Sequence, residues 1–341
     1  MIYRSKAPLR IGLAGGGTDV SPYSDQYGGA ILNATISLSA NASIEITNDQ
    51  KITVEALDRK EEESFDVANA LPINGKLDLL KGVYNRIQKE YPFTTTGFRL
   101  STFVDAPAGS GLGTSSTLVV AILGAFVEML KLPLGDYDIA HLAYEIERED
   151  LQLAGGKQDQ YAATFGGVNF MEFYEGNRVI VNPLRIRPEY LHELENNLVL
   201  YFTATSRESA SIIKEQVKNV NSKNEKSIEA MHQLKEQSKI MKEALLKGKL
   251  NEIGEVLDFG FQQKRQMAAN ISNNSIEEIY TAAKATGATG GKISGAGGGG
   301  FMIFYCPKNT RYAVIERLNT FGGEVKNYSF TKYGLTTWTI N

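Results

Sequence analysis

Residues 107–116 read PAGSGLGTSS and lead directly into an apolar run, TLVVAILGAFV, at residues 117–127. Spaced glycines let backbone N–H groups converge on phosphate oxygens, and the N-terminus of a following helix adds a favourable dipole. Thr114, Ser115 and Ser116 place hydroxyls at the first helical turn, where they could cap the helix, bind phosphate or reach a nucleotide-bound metal ion. Three hydroxyls after three spaced glycines favour a phosphate-binding loop.

Two further glycine clusters occur, GLAGGG at residues 12–17 and GGKISGAGGGG at residues 290–300. Together the three segments hold 14 of the 33 glycines, and apolar runs flank them, unlike the polar surroundings of flexible linkers. None is a Walker A loop, because no Gly-Lys pair in the chain is followed by Ser or Thr. The first cluster leads into a polar, turn-rich stretch, which excludes a dinucleotide-binding oxidoreductase.

The composition is that of an ordinary globular protein of 341 residues, which predicts about two domains. A net charge of −3 provides no basic excess for nucleic acid or an anionic membrane, so neither is expected as a partner. One cysteine, Cys306, and three histidines exclude a disulfide framework, a thiolate metal cluster and a structural zinc site. The N-terminus has no signal-like apolar segment and residues 118–127 are too short to span a membrane, so we expect a cytoplasmic protein.

Hydrophobic periodicity predicts an α+β fold with helices on one face of the sheets. Strand character is found at residues 2–13, 29–57, 97–104, 168–174, 197–204, 301–306, 324–330 and 335–340. Helical character is found at residues 77–90, 116–131, 137–153, 207–247, 251–269, 275–286 and 310–320. The stretch NPLRIRPEY at residues 182–190 contains two prolines and a basic interval. This break in the pattern predicts two domains, 1–185 and 186–341.

The three glycine segments resemble the three motifs of the GHMP kinase family, which includes galactokinase and mevalonate kinase. The matching stretches are APLRIGLAGGGTD (7–19), PAGSGLGTSS (107–116) and KISGAGGGGF (292–301), in the family's order. The resemblance implies a ribosomal-protein-S5-like N-terminal domain, a ferredoxin-like C-terminal domain and an active site in the cleft between them. The GGGTD ending, with AGGKQDQYAATFGG at residues 154–167, is similar to the branch that acts on heptose 7-phosphates, with fucokinases as its nearest sibling.

The resemblance also implies an ATP site in the second segment, supported by the third. Its residues would be Pro107, Gly109, Ser110, Gly111, Leu112, Gly113, Thr114, Ser115, Ser116, Gly297 and Gly298. Glu147 and Asp159 are 12 residues apart, the spacing at which galactokinase-like members place a magnesium-binding Glu and a catalytic Asp. Glu145 and Glu149 compete with Glu147, and either Thr114 or Ser115 could reach Mg²⁺, with Ser115 preferred.

Asp159 is thus the expected base for the sugar hydroxyl, and Arg10 and Lys157 are expected to hold charge on the transferred phosphoryl group. Gly16, Gly17, Thr18 and Asp19 would bind the sugar. A 7-phosphate on that sugar requires cations, for which Lys6, Arg185, Arg207 and Lys292 are the candidates.

The implied activity is an ATP- and Mg²⁺-dependent kinase that phosphorylates the anomeric hydroxyl of D-glycero-D-manno-heptose 7-phosphate to the 1,7-bisphosphate. Such a product belongs to nucleotide-activated heptose biosynthesis for surface polysaccharide. The alternatives are an L-fucose or other free-sugar 1-kinase and a non-catalytic sugar-phosphate sensor. A homodimer is a possible state of the protein.

Overall fold

A computed structural model describes residues 1–205 and 209–341; Arg207, one of the candidate phosphate cations, lies outside these ranges. The strands are β1 (Ile2–Ala14), β2 (Gly29–Ile46), β3 (Lys51–Ala56), β4 (Glu61–Asp66), β5 (Phe98–Val104), β6 (Val168–Phe173), β7 (Val179–Pro183), β8 (Leu198–Phe202), β9 (Gly290–Ile293), β10 (Phe301–Tyr305), β11 (Glu324–Lys326) and β12 (Thr336–Ile340). The helices are α1 (Tyr23–Tyr27), α2 (Asp78–Glu90), α3 (Thr114–Leu130), α4 (Asp136–Glu145), α5 (Gln158–Phe165), α6 (Pro188–Asn197), α7 (Ser209–Asn221), α8 (Glu225–Leu246), α9 (Ile253–Lys264), α10 (Asn274–Thr286) and α11 (Arg311–Asn319). A π-helical turn spans Ile146–Asp150 and a 3₁₀ turn spans Leu250–Glu252.

The first sheet has the order β12-β1-β2-β5-β3-β4 within the described ranges, and β6 and β7 extend it from the other half of β2. The 18-residue β2 pairs with β5 through residues 40–46 and with β6 through residues 29–34. Helix α3 packs on β1 and β2, and its apolar residues from Leu118 to Phe126 are buried there. This packing fixes the position of the N-terminus of α3, which follows the phosphate loop, relative to the first sheet.

The second sheet is antiparallel, in the order β11-β8-β10-β9. If these four strands are numbered along the chain, their order in the sheet is 4-1-3-2. Helices α7–α10 lie between β8 and β9 in the sequence, and α11 lies between β10 and β11. That arrangement is the ferredoxin-like topology, so the implied two-domain α+β fold is confirmed. The third glycine segment connects β9 to β10 and therefore lies at one end of this sheet.

The chain ends in the sheet in which it begins. Strand β12 pairs antiparallel with β1, with Ile340 opposite Ile2, and Phe330 forms a bridge with Ile36. The division at residue 185 stays a prediction, and the segment from about residue 330 onward belongs spatially with the first sheet.

Several element boundaries differ from the prediction. The helix predicted over 207–247 is interrupted at residues 222–224, because Lys223 adopts a left-handed φ of 55° and Asn224 caps a new helix, accepting from the Ser227 amide at 3.1 Å. The helix predicted over 137–153 becomes α4 and the π-helical turn, and strand 29–57 is two strands joined by a turn. Strand 324–330 ends at residue 326, while β4, β7, α1, α5 and α6 were not predicted.

Among the described residues, no helix is both long and apolar enough to cross a membrane.

Candidate active site

The three glycine segments meet at one cavity of about 650 Å³. The second segment is clamped between the other two, because the Gly111 carbonyl accepts hydrogen bonds from the Arg10 guanidinium at 2.6 Å and from the Ser294 hydroxyl at 2.8 Å. The Ser110 carbonyl also accepts from the Phe301 amide at 2.8 Å. The start of α5, the π-helical turn and the inner face of α7 complete the cavity wall.

Arg10 and Asp159 form the central ion pair of the cavity. The Nε and Nη2 atoms of Arg10 each lie 2.7 Å from Oδ1 of Asp159, and Arg10 is 3% exposed. Gly113 faces Asp159: a Cβ atom there would lie 3.0 Å from the carboxyl carbon, and the residue has φ of +79°. Glycine at this position therefore lets the phosphate loop approach the carboxylate. The structure thus brings Arg10, Asp159 and the phosphate loop together.

Asp19 holds the start of α5. Its Oδ2 atom accepts from the amides of Lys157 at 2.9 Å and Gln158 at 3.1 Å, which places a carboxylate at the helix N-terminus. A Cβ atom at Gly156 would lie 1.9 Å from that oxygen, so only glycine allows this contact. Burial raises the pKa of Asp19 above its usual value, while the hydrogen bond from the Gln158 amide acts in the opposite direction.

The other residues expected to bind the sugar divide into two groups. Gly17 lines the cavity, and Gly16 lies beside two lysine ammonium groups. Thr18 is fully buried, and its hydroxyl exchanges hydrogen bonds with the backbone of Gly15 and Ala30. Thr18 thus shapes the first loop, and the structure does not bring its hydroxyl to the cavity.

Of the three candidate glutamates, Glu147 alone lines the cavity in the described ranges. It lies on the π-helical turn, is 1% exposed and accepts from Nε2 of Gln160 at 2.5 Å. The same nitrogen lies 3.1 Å from the Ser116 hydroxyl oxygen, so Gln160 ties Glu147 to the start of α3. Glu145 instead pairs with Arg86 at 3.1 Å.

Among the described residues, Ser116 is the one of the three hydroxyls at the start of α3 that forms a hydrogen bond, with Gln160. No side chain caps this helix in the part of the chain that the structure describes, so the simple capping interpretation does not apply. Thr114, Ser115 and Ser116 line the cavity, and Ser115 is the exposed one. The buried Ser110 hydroxyl has no hydrogen-bond partner among the described residues.

Lys157 contributes its amide to the site, but its ammonium points elsewhere. The Nζ atom lies 3.2 Å from Oδ1 of Asp25 and 5.8 Å from the centre of the Tyr144 ring, and the side chain is 1% exposed. Lys157 is not among the residues that line the cavity. A role for this ammonium at the transferred phosphoryl group stays a prediction to which the geometry adds no support.

Two other lysines lie at the site. Lys264, at the end of α9, lines the cavity and donates to the Gly295 carbonyl; Lys292, in β9, donates to the Gly12 carbonyl at 2.9 Å. Burial and the nearby Arg10 charge lower the pKa of Lys264 to about 8, although Asp19 acts in the opposite direction. Burial and the Lys264 charge lower the pKa of Lys292 well below its usual value.

Sequence reasoning did not find Lys264, although a signal was present. The buried residues of α9 include Ile253, Leu257 and Phe261, and Lys264 falls on the same face three residues after the last of them. Gln160 and Gln216 were also missed, and glutamines in a helical stretch carry no comparable signal.

The remaining predicted residues lie outside the cavity lining. Leu112 is a core residue whose carbonyl accepts from the Arg10 amide at 3.2 Å, and Pro107 is exposed. The Gly298 amide donates to the Ile271 carbonyl at 2.8 Å, and Gly297 packs against the same residue. Lys6 and Arg185 are exposed.

Two segments of the chain match known family descriptions. Residues 78–167 match the GHMP kinases N terminal domain, and residues 241–324 match the GHMP kinases C terminal domain. The chain is 48% identical over 337 residues to D-glycero-alpha-D-manno-heptose 7-phosphate kinase of Campylobacter jejuni, which covers 99% of both chains.

A solved structure of a D-glycero-D-manno-heptose 1-phosphate kinase from Bacteroides thetaiotaomicron superimposes with a TM-score of 0.85, at 46% identity and 99% coverage of each chain. A more distant relative is the L-fucokinase/L-fucose-1-P guanylyltransferase of Bacteroides fragilis, 27% identical over 338 residues, which is 92% of this chain and 35% of that protein.

Proposed function

Since this chain belongs to the GHMP kinase family, we propose that it transfers the γ-phosphoryl group of ATP to the anomeric hydroxyl of D-glycero-D-manno-heptose 7-phosphate. The hydroxyl oxygen forms the new P–O bond, the bond from the γ-phosphorus to the bridging oxygen breaks, and ADP and the 1,7-bisphosphate leave. The observation that carries this proposal is the Arg10–Asp159 pair facing a glycine-rich helix start within one cavity. The 48% identity to a heptose 7-phosphate kinase supports the choice of sugar.

Asp159 is the residue that meets the hydroxyl. Arg10 holds Oδ1 through two contacts of 2.7 Å, which leaves Oδ2 to accept the hydrogen bond of the sugar hydroxyl and orient it or receive its proton. The same guanidinium donates to the Gly111 carbonyl, so the base is fixed relative to the phosphate loop. This rigid link positions the attacking oxygen against the terminal phosphate.

The nucleotide phosphates belong at the start of α3. The glycines at 109, 111 and 113 all have positive φ, and the first helical turn presents backbone N–H groups and the hydroxyls of Thr114 and Ser115. This cradle accepts anions without placing a full positive charge in the loop.

Mg²⁺ fits beside this cradle. Glu147 presents a buried carboxylate on the wall of the cavity that Ser115 also lines, and no cluster of three potential metal-ligating acids, histidines or cysteines occurs in the described ranges. A single carboxylate with a hydroxyl suits Mg²⁺, which usually binds through one or two protein ligands together with substrate phosphates. Bound there, the ion would neutralise charge on the nucleotide phosphates.

The test is ADP release, coupled to NADH oxidation, with a panel of acceptors: heptose 7-phosphate, heptose 1-phosphate, L-fucose, galactose and mevalonate. We expect turnover with the 7-phosphate and a product whose ³¹P spectrum shows a new phosphate on the anomeric carbon. The panel includes the 1-phosphate because the two similar kinases are named for different phosphate positions. Preference for the 1-phosphate or for L-fucose would overturn the proposed acceptor, and no release with any acceptor would favour a sensor.

A further inference from the structure

Lys264 lines the cavity and Lys292 lies close to it without lining the cavity, and neither ammonium group has a carboxylate partner within the described residues. Lys264 is 3% exposed and Lys292 is 5% exposed, and the hydrogen bonds of both ammonium groups go to backbone carbonyls. Each repels the other and the nearby Arg10 guanidinium. Buried charges of one sign without counter-ions are costly, so this arrangement indicates a place where an anion completes the site.

Gly16 lies against both ammonium groups. A Cβ atom at this position would lie 3.8 Å from Nζ of Lys264 and 3.9 Å from Nζ of Lys292, so any larger side chain would stand against both. Gly16 has no positive φ that would require glycine on backbone grounds. A side chain longer than that of alanine at this position would therefore extend toward the two ammonium groups.

Both ammonium groups lie beside Gly16 of the first loop, whose residues are the ones expected to bind the sugar. Burial lowers the pKa of Lys264, and the negative charge of Asp19 in the first loop acts to raise that pKa. The Lys264 ammonium donates to the Gly295 carbonyl of the third loop. The nucleotide phosphates have their own cradle at the start of α3, built from backbone amides and hydroxyls. The cavity wall thus offers a buried cationic side chain in addition to the backbone amides and hydroxyls at the start of α3.

We infer that Lys264, with Lys292 behind it, binds the phosphate group that the sugar already carries. This inference rests on the proposed function and names the residues that would select a phosphorylated acceptor. A phosphate monoester carries nearly two negative charges at neutral pH, which matches the two ammonium groups. Besides Lys264 and the Asp159-paired Arg10, Arg148 lines the cavity, but its guanidinium already donates to the carbonyls of Gly156 and Leu153 and lies 3.6 Å from Glu147.

The test compares Lys264→Met with the wild type on heptose 7-phosphate and on the same heptose without phosphate. We expect the KM for the 7-phosphate to rise by about 30-fold or more, because a charge-assisted contact is lost, while the KM for ATP stays unchanged. Calorimetry without nucleotide should show the same loss of affinity for the 7-phosphate and none for the free heptose. Lys247→Met, at the exposed lysine that directly follows α8, is the matched control.

Gly16→Asp provides a second variant, since its carboxylate would pair with the ammonium groups and exclude the phosphate. An equal fall in kcat for both sugars in Lys264→Met, with unchanged KM values, would place the lysine at the transferred phosphoryl group and overturn the inference. So would a loss of 7-phosphate affinity in Arg148→Met that Lys264→Met does not show. If the wild type neither binds nor phosphorylates heptose 7-phosphate, the proposed function itself is wrong. Failure of the proposed function is thus seen in the wild type, and failure of the inference is seen only in the variants.

Discussion

Replacing Lys264 by methionine should stabilise the ligand-free protein at neutral pH, although it weakens substrate binding. The ammonium is almost completely buried, and its pKa is lowered from 10.5 to about 8. In the unfolded chain the same group keeps its proton up to about pH 10.4. Between about pH 8 and 10.5 the unfolded state therefore binds more protons than the folded state, and wild-type stability rises with pH across this window.

The size of the effect follows from the two pKa values. The difference between 10.5 and about 8 corresponds to about 3 kcal/mol of unfolding free energy at pH 7, where both states are protonated. Methionine removes this penalty but leaves the Gly295 carbonyl without the Lys264 hydrogen bond, which costs about 1 kcal/mol. We expect the variant to be about 2 kcal/mol more stable at pH 7 and about 1 kcal/mol less stable near pH 10.5.

Urea unfolding followed by far-UV circular dichroism at pH 7, 8, 9 and 10, in buffers without phosphate, measures this difference. Lys247→Met is the control, since its ammonium is exposed and pairs with Glu243 on the surface. A variant less stable than the wild type at pH 7, or a difference in unfolding free energy that does not change with pH, would refute the reasoning.

Two further predictions concern the reaction itself. Asp159→Asn should lower kcat by about 10²–10⁴-fold while the Kd for ATP stays within about twofold, as checked by steady-state kinetics and calorimetry; near-wild-type turnover would remove the base role. Glu147→Gln should raise the Mg²⁺ concentration needed for half-maximal activity, and for tight ADP binding in calorimetry, by about tenfold. A Mg²⁺ requirement equal to that of the wild type would assign the carboxylate a structural role.

The fold could be predicted largely from the sequence, because its main signals are local. The buried run of α3 and the strand-like stretches of the second sheet follow from hydrophobic periodicity. The return of β12 to β1 is not local: nothing in residues 336–340 indicates a partner more than 300 positions earlier. The break in the long helix rests on a capping contact of Asn224, whose signal is weak within a charged helical stretch.

The site divides in the same way. Arg10, Glu147 and Asp159 could be selected from the sequence because they stand at fixed positions relative to recognisable motifs. In the structure all three line one cavity. The sequence does not show whether a side chain follows its backbone into the cavity, and Lys157 is the case in point: its amide binds Asp19 while its ammonium pairs with Asp25. Lys264 lies about 100 residues from the Asp159 segment, so only its place on the apolar face of α9 marked it.

The two anion sites differ in a way that suits their ligands. The cradle at the start of α3 uses backbone amides and hydroxyls, which need no counter-ion when the nucleotide leaves. Burial and mutual repulsion disfavour the charged forms of Lys264 and Lys292 until a dianion arrives, so a sugar without a phosphate leaves the ammonium groups uncompensated. Discrimination against free sugars then arises mainly from this unfavourable state and only partly from attraction to the phosphate. The same buried charge that lowers the stability of the free protein thus supplies the selectivity of the kinase for a phosphorylated acceptor.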